Sequence, residues 1–169
     1  MKDAKQEAAR PLRFTEAQAF PSWSYTVLLF VGVGPLLLAR LLPDPAKPII
    51  APTGIVTALV MAILANLLYL RTTVDDEALV VIFGYAFPMY RQRIPLGEIR
   101  SAEAVTYNPL REYGGWGIRG FGDNRALNAR GNRGVRLTLT DGRRLLVGSQ
   151  RPDELATALR AGEVGPEVR

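Results

Sequence analysis

Two long apolar runs, at 25–42 and 49–70, stand near the start of this 169-residue chain, with six residues between them. The second run holds 22 residues without a charge, and at about 1.5 Å of rise per residue a helix of that length reaches roughly 33 Å. The hydrocarbon core of a bilayer is about 30 Å thick, so such a helix is long enough to cross it. The pattern predicts a two-helix transmembrane hairpin over 25–71, preceded by an N-terminal arm over 1–24.

The first run has two readings, a cleaved signal peptide or a retained anchor. It follows a long polar arm and ends in Ala39-Arg40-Leu41-Leu42-Pro43, without the small-x-small site at which signal peptides are cut. We therefore expect a retained anchor. Basic residues are frequent in the arm and beyond Arg71, and the positive-inside bias then predicts a multi-pass protein of the plasma (inner) membrane with both termini in the cytoplasm.

Small residues recur at every fourth position of the second run, which places them on one face of a helix. The set is Gly54, Ala58, Ala62 and, with a polar amide, Asn66. The first run offers Gly32 and Gly34 as a matching small surface. This face is predicted to pack against the first helix or to dock onto another membrane protein, with Asn66 as an interhelical hydrogen-bonding group.

Beyond the hairpin the hydrophobic period changes from that of a helix to that of short strands, and about 98 residues remain, enough for one small domain. Pro152 then opens a helix that Gly162 ends, so the domain is predicted over 72–162, with a flexible tail over 163–169. An Asp141-Gly142 pair suits a two-residue type I′ turn, in a register that sets Leu137 opposite Leu146. The seven predicted strands are 78–83, 90–94, 101–106, 117–119, 125–129, 135–140 and 143–147.

The run Arg93-Ile94-Pro95-Leu96-Gly97-Glu98-Ile99, leading into Ser101-Ala102-Glu103-Ala104-Val105, resembles the "I-P-L-x-x-I" signature of bacterial pleckstrin-homology-like (PH-like) domains, which often follow paired membrane helices. The resemblance implies a mostly β, partly open barrel of about seven strands, capped by the C-terminal helix. Small membrane proteins of unknown function are also similar to this chain through 115–119 and through 141–152.

Histidine and cysteine are both absent, which removes the commonest general base, metal ligands and thiol chemistry. The carboxylates of Asp75, Asp76 and Glu77 are adjacent in one turn and splay apart, and Ser149 has no base partner in sequence. We expect no enzyme, cofactor or metal. The net charge of +5 is spread among interleaved acidic residues, so no nucleic-acid partner is expected either.

The glycine-rich segment from Gly115 to Gly120 matches G-x-G-x-x-G letter for letter. No strong strand precedes it and no helix can follow it, so it is not expected to bind a dinucleotide. Within it, Trp116 is either a core residue or an exposed anchor, and Arg119 belongs to a basic loop that is either a plain solvated face or a membrane contact.

Five residues, 85–89, form a segment that we call the apolar tip, and Arg91 and Arg93 follow it directly. Its apolar members are Tyr85, Phe87 and Met89. Such a segment either packs as a turn on its own barrel or dips into an anionic leaflet, with the arginines near the headgroups. The leading lysine of phosphoinositide-binding domains is missing, so a specific headgroup is not expected.

These patterns predict a membrane-anchored, non-enzymatic interaction module at the cytoplasmic face, which binds a protein partner or anionic lipid headgroups. The alternative is an assembly subunit of a membrane complex that binds through its transmembrane hairpin.

Overall fold

The computed structural model describes residues 11–41 and 47–160. Apart from two apolar helices, these residues form one domain, made mostly of nine strands in two sheets. The first sheet is antiparallel throughout, in the order β1-β2-β3-β4. Its first strand precedes both apolar helices in sequence, whereas the other three follow them. The strands are β1 (Phe14–Ala19), β2 (Tyr69–Val74), β3 (Ala78–Phe83) and β4 (Tyr90–Pro95).

Two apolar helices, α1 (Ser22–Leu41) and α2 (Lys47–Leu67), lie in sequence between β1 and β2. A Cβ on Gly32 would lie 3.1 Å from Met61 Cβ, and one on Gly54 would lie 2.6 Å from Leu36 Cδ2. The contact made later in α1, at Leu36, is made earlier in α2, at Gly54, so the two helices pack antiparallel. We call them the helix pair. Because β1 precedes α1, β2 follows α2 and the two strands pair, the start of α1 and the end of α2 both lie at the first sheet.

The second sheet has the order β5-β8-β9-β7-β6, in which only β7 and β9 are parallel. A 3-10 turn (Leu96–Glu98) leads into it from β4, and a one-turn helix α3 (Pro109–Tyr113) joins β5 to β6. The strands are β5 (Ile99–Thr106), β6 (Gly117–Phe121), β7 (Asn124–Asn128), β8 (Arg133–Leu139) and β9 (Arg144–Gly148).

The main core lies where the inner faces of both sheets meet the last described helix, α4 (Pro152–Arg160). Pro152 starts this helix, Asp153 and Glu154 stand in its first turn, and Leu155 and Leu159 are fully buried. The Arg160 guanidinium donates two hydrogen bonds, of 3.0 and 2.9 Å, to the carbonyl of Ala102 in β5. The helix is thereby fixed to the second sheet, and its start at Pro152 agrees with the sequence prediction.

The predicted fold of two transmembrane helices and a barrel is wrong on both counts. The described strands form two separate sheets without a closed barrel, so the fold is mixed α/β. Among the described residues, only α1 is long and apolar enough to cross a membrane, and the stretch of α2 that passes the same apolar test, Pro52–Leu67, is shorter than such a span. The physical reason is that the second apolar run extends into β2, where Leu70 is fully buried between strands.

The last hairpin forms at the predicted place with a different register and turn. Leu137 pairs with Leu145, not with Leu146, which lies in a second small cluster beside Tyr107 and Ala126. The turn is wider than two residues, because Leu139 N–H bonds Arg143 O and Gly142 N–H bonds Leu139 O. Gly142 has φ +88° and Asp141 has no positive φ, so the turn is not type I′.

Several predictions fall partly outside the described residues. These are the first ten residues of the arm, most of the connector between the apolar runs, the end of the C-terminal helix at Gly162 and the tail.

Candidate functional site

The apolar tip lies against the C-terminal end of α2, where a single side chain, Asn66, holds it. Asn66 Nδ2 donates to Phe87 O at 2.9 Å, and its Oδ1 accepts a bond from Ala86 N–H at 2.8 Å. The backbone adds a bond from Tyr85 N–H to Asn66 O at 3.0 Å. Asn66 is buried. The amide therefore fixes the tip to the helix pair and is not the interhelical group that the sequence predicts.

The tip forms a tight turn, and Gly84, the residue directly before it, begins that turn. This residue has φ +133°, and a Cβ there would lie 2.1 Å from Phe87 O, so only glycine fits. Met89 N–H closes the turn on Phe83 O at 2.9 Å. The side chains of Tyr85 and Phe87 point outward and are 70% and 52% exposed. The structure thus supports the exposed reading of the tip over a turn packed on its own domain.

Aromatic rings and one arginine extend this surface across the base of the helix pair. The rings of Tyr69 and Tyr85 meet edge to face with centroids 5.2 Å apart, and the Arg71 guanidinium lies 6.0 Å from the Tyr69 centroid. The Tyr25 hydroxyl bonds the carbonyl of Leu68, which ties α1 to the start of β2. Sequence reasoning does not single out Tyr25, Tyr69 or Arg71 as site residues.

Arg91 and Arg93 are exposed neighbours on β4, on the outer face of the first sheet. They pair across the strand with Ile82 and Val80. Arg93 Nη2 lies 3.0 Å from Glu77 Oε2, with both side chains substantially exposed, and a pair of this kind contributes little to stability. The structure therefore places both arginines on the sheet that carries the tip.

Trp116 and Arg119 form a separate group on the second sheet. Trp116 is half-buried and donates from Nε1 to Gly131 O at 2.9 Å, while Arg119 Nε donates to Trp116 O at 2.8 Å. Neither side chain hydrogen-bonds to the apolar tip among the residues that the structure describes. The predicted contact set therefore divides into two surfaces, and the one around the tip is the stronger candidate.

The predicted small-residue face has several distinct roles. Gly32 and Gly54 allow close contact between the helices, whereas no atom lies within 4 Å of a Cβ built on Gly34. Ala58 and Ala62 line an open apolar groove of about 510 Å³ between the helices. Ala62 also lines a second compartment of about 500 Å³, which reaches Tyr69 and Tyr85 at the tip.

Buried polar groups elsewhere serve the fold. Glu16 on β1 accepts bonds from Ser149 Oγ at 2.6 Å and Gln150 N–H at 2.9 Å. Asn128 Nδ2 donates to Tyr107 Oη at 2.9 Å, and burial raises the pKa of this phenol above its usual value despite that bond. Ser149 is thus paired with a structural carboxylate. No cluster of three metal-ligating side chains occurs within the described residues.

The three adjacent carboxylates also have separate structural partners. Asp75 Oδ1 accepts bonds from the backbone N–H groups of Glu77 and Ala78 and so shapes the turn between β2 and β3. Asp76 pairs with Arg13 at 2.7 Å, and Glu77 pairs with Arg93, so the three groups do not converge on one point.

Comparison with known proteins finds no matching family model and no similar curated protein. The resemblance to PH-like domains therefore remains a prediction from the residues.

Proposed function

We propose that this protein is a membrane-anchored, non-enzymatic interaction module whose apolar helix α1, packed against α2, enters the bilayer and whose apolar tip lies in the membrane interface. The observation that carries the proposal is the clamp of Asn66 on the tip. It holds Tyr85 and Phe87 at the end of the helices, where amphipathic rings favour the headgroup region. The domain is then held at the membrane surface with its outer sheet face available to a partner.

The exposure of α1 supports membrane insertion over burial in a soluble core. Only 11% of its apolar window is buried inside the molecule, and Phe30 and Leu29 are 78% and 65% exposed. Water-exposed apolar surface on this scale is rare in soluble monomers and is typical of membrane or protein contact. At about 1.5 Å per residue, its 20 residues reach about 30 Å.

The position of β1 supports a retained anchor over a cleaved signal. A cut after α1 would remove β1, whose Glu16 and Gln18 are buried and bond to the end of β9 and the segment after it. Gln18 Nε2 donates to Gly148 O at 2.9 Å, and Arg151 Nη2 donates to Thr15 O at 2.5 Å. The domain would therefore lose an integral strand.

We infer a cytoplasmic orientation from charge and topology together. Because β1 and β2 pair, the chain enters and leaves the helix pair on the same side as the domain. That side carries Arg13, Arg71, Arg91 and Arg93, and the positive-inside bias favours such a surface in the cytoplasm of a plasma-membrane protein. The partner at this face is a protein or an anionic lipid headgroup, and the tethered position makes weak contacts sufficient.

Depth-dependent fluorescence quenching tests the proposal on the full chain. Trp23 and Trp116 are replaced by Phe, and a single tryptophan is introduced by Phe87→Trp in the tip. The protein is then reconstituted into vesicles that contain lipids brominated at defined acyl positions. We expect quenching by shallow bromines at Phe87→Trp. A matched Leu110→Trp variant, on α3 where Leu110 is 65% exposed, should not be quenched. Equal absence of quenching at both positions would overturn the proposal.

A further inference from the structure

We propose that the groove between α1 and α2 holds one acyl chain of an anionic phospholipid, with its acidic headgroup beside Arg71. The inference rests on the proposed membrane anchoring and adds a specific ligand to it. The groove has two compartments that share Tyr25, Ala62 and Ala65, of about 510 and 500 Å³, within the usual size range of ligand pockets.

The lining of the groove becomes more aromatic towards its base. The compartment between the helices is lined by apolar groups, which include Leu28, Gly32, Val33, Ala58 and Met61. The compartment at the base is also mostly apolar, with the rings of Tyr69 and Tyr85 beside several alanines, and the Asn66 amide there is bonded to the tip. An acyl chain fits the apolar lining, and amphipathic rings such as those of Tyr69 and Tyr85 favour the depth of the glycerol and headgroup region.

Arg71 places a positive charge near the base compartment of the groove. The guanidinium of Arg71 lies 6.0 Å from the ring centroid of Tyr69, which lines the base compartment. Arg71 is exposed, and none of the described carboxylates forms a salt bridge with it. An acidic headgroup supplies the missing counter-charge, whereas a zwitterionic headgroup does so less completely.

The length of the groove favours a lipid over a partner helix. On α1 it runs from Tyr25 to Val33, eight rises of about 1.5 Å or roughly 12 Å, which is less than half of a hydrocarbon core of about 30 Å. The helices are in contact both at the floor of the groove, where a Cβ on Gly32 would lie 3.1 Å from Met61 Cβ, and beyond it, where a Cβ on Gly54 would lie 2.6 Å from Leu36 Cδ2. A groove of this extent matches a chain from the adjacent leaflet, whereas a spanning helix needs a longer surface.

Electron spin resonance of spin-labelled lipids tests the inference. The full chain is reconstituted into phosphatidylcholine vesicles that contain acyl-labelled phosphatidylglycerol or acyl-labelled phosphatidylcholine as the probe. We expect a motionally restricted component that is larger for phosphatidylglycerol. Ala62→Phe should remove the restricted component, because the exposed Ala62 side chain lines both compartments. The matched Leu59→Phe variant, on α2 outside the groove lining, should keep it.

The headgroup contact has its own variant. Arg71→Gln should lower the preference for phosphatidylglycerol over phosphatidylcholine by about fivefold, the effect of one arginine near an anionic surface. Arg100→Gln, an exposed arginine on β5, should leave the preference unchanged. Loss of the restricted component in Ala62→Phe with unchanged preference in Arg71→Gln would overturn the headgroup assignment.

Failure of this inference differs measurably from failure of membrane anchoring. Flotation of the vesicles reports anchoring: a chain that does not co-float refutes the proposed function itself. A chain that co-floats but restricts both probes equally, or restricts phosphatidylglycerol equally in Ala62→Phe, refutes only the lipid site. Crosslinking into dimers that Ala62→Phe abolishes, without a restricted lipid component, would assign the groove to a second copy and overturn the inference.

Discussion

The helix pair and the two-sheet domain use the same apolar residue types with opposite exposure. In α1, Phe30 is 78% and Leu29 65% exposed, whereas in β3 Phe83 is 1% exposed and Leu79 and Val81 are fully buried. The helices approach each other closely at Gly32 and Gly54, whereas the sheets pack together through large side chains. The domain therefore buries its apolar side chains in its own core, whereas α1 leaves many of its own on the surface.

The boundary between these regions is a set of bonds, not a flexible linker. The pairing of β1 with β2 holds the start of α1 and the end of α2 at the first sheet. In addition, the Tyr25 hydroxyl bonds Leu68 O, and Asn66 holds the tip. A domain attached in this way has a fixed orientation relative to the helices. The comparison thus teaches that the orientation of the domain relative to the helix pair is encoded in its first sheet.

The largest expected effect comes from replacing matched phenylalanines in the two regions. Phe83→Ala empties a core position and should lower the free energy of unfolding by about 3–5 kcal/mol. Phe30→Ala, at a side chain with few internal contacts, should change it by less than about 0.5 kcal/mol. Denaturant unfolding of the full chain in detergent micelles, followed by the fluorescence of Trp116, measures both values.

Similar losses in the two variants would break the comparison, since they would mean that α1 is packed into the domain. Partition into vesicles provides the reverse control, because Phe30→Ala should weaken membrane association and leave folding intact.

The next effect concerns the joint between the regions. Asn66→Ala leaves the Ala86 N–H and the Phe87 carbonyl without their partner, and an unpaired buried polar group costs about 1–3 kcal/mol. The tip should then detach from the helix end, and shallow bromine quenching of Phe87→Trp should fall. Asn66→Asp keeps the acceptor for Ala86 N–H but loses the donor to Phe87 O, so an intermediate result is expected. Unchanged quenching in Asn66→Ala would contradict the clamp.

The strands that connect the helix pair to the domain, β1 and β2, are the part of the fold that the sequence does not predict. All seven predicted strands are present within a few residues, because short apolar runs such as Ala78–Phe83 and the glycine turns between strands are local signals. β1 and β2 are missed: β1 lies in a polar arm with residues such as Glu16 and Gln18, and Leu70 reads as the end of an apolar run. Their pairing joins residues on either side of two helices, and such long-range contacts leave no local pattern.

This pairing also moves the domain boundary that the sequence indicates. A domain that starts at residue 72 would cut through β2 (Tyr69–Val74) and leave out β1 altogether. The buried Glu16 and Gln18 would then be lost from the end of β9. Experiments on the domain therefore require the full chain.

The sequence indicates some of the residues of the candidate site but not how the fold arranges them. The exposed aromatic tip and the two arginines follow from adjacency in sequence. The role of Asn66 does not, because the small-residue spacing places it on a helix face and says nothing of a loop twenty residues later. Tyr69 and Arg71 were hidden for the same reason as β2. Trp116 and Arg119 share the composition of the tip, and only the fold separates them from it.

A further effect separates the glycines of the two regions. Every described glycine with a positive φ lies in the domain, whereas Gly32 and Gly54 serve close helix contact. Gly142→Val should destabilise the protein by about 1–2 kcal/mol, because a β-branched residue is strained at φ +88°. Gly97→Ala, without a positive φ and with open space around its Cβ, is the matched control and should stay within about 0.5 kcal/mol. An unchanged melting temperature in Gly142→Val would show that the turn relaxes freely.

The smallest expected effect contrasts the forces that hold the two regions at a membrane. Under the proposed function, hydrophobic insertion of α1 should be insensitive to salt, whereas contact of the exposed Arg91 and Arg93 with anionic lipid should be screened over about 8 Å at physiological ionic strength. Reversing both charges to Glu should therefore leave flotation unchanged and reduce shallow quenching of Phe87→Trp in phosphatidylglycerol vesicles, at about 1 kcal/mol for each arginine. In pure phosphatidylcholine the same variant should match the parent.

Reversing Arg100 and Arg111, two exposed arginines outside the first sheet, is the control for net charge. Equal losses in both pairs of variants would show that total charge decides the contact, and the tip would then have no electrostatic role of its own. A loss confined to Arg91 and Arg93 that fades with added salt would instead show that the first sheet meets the membrane with a defined face. That face would be the one fixed by the pairing of β1 with β2, since the same sheet joins the arginines, the tip and both helix ends.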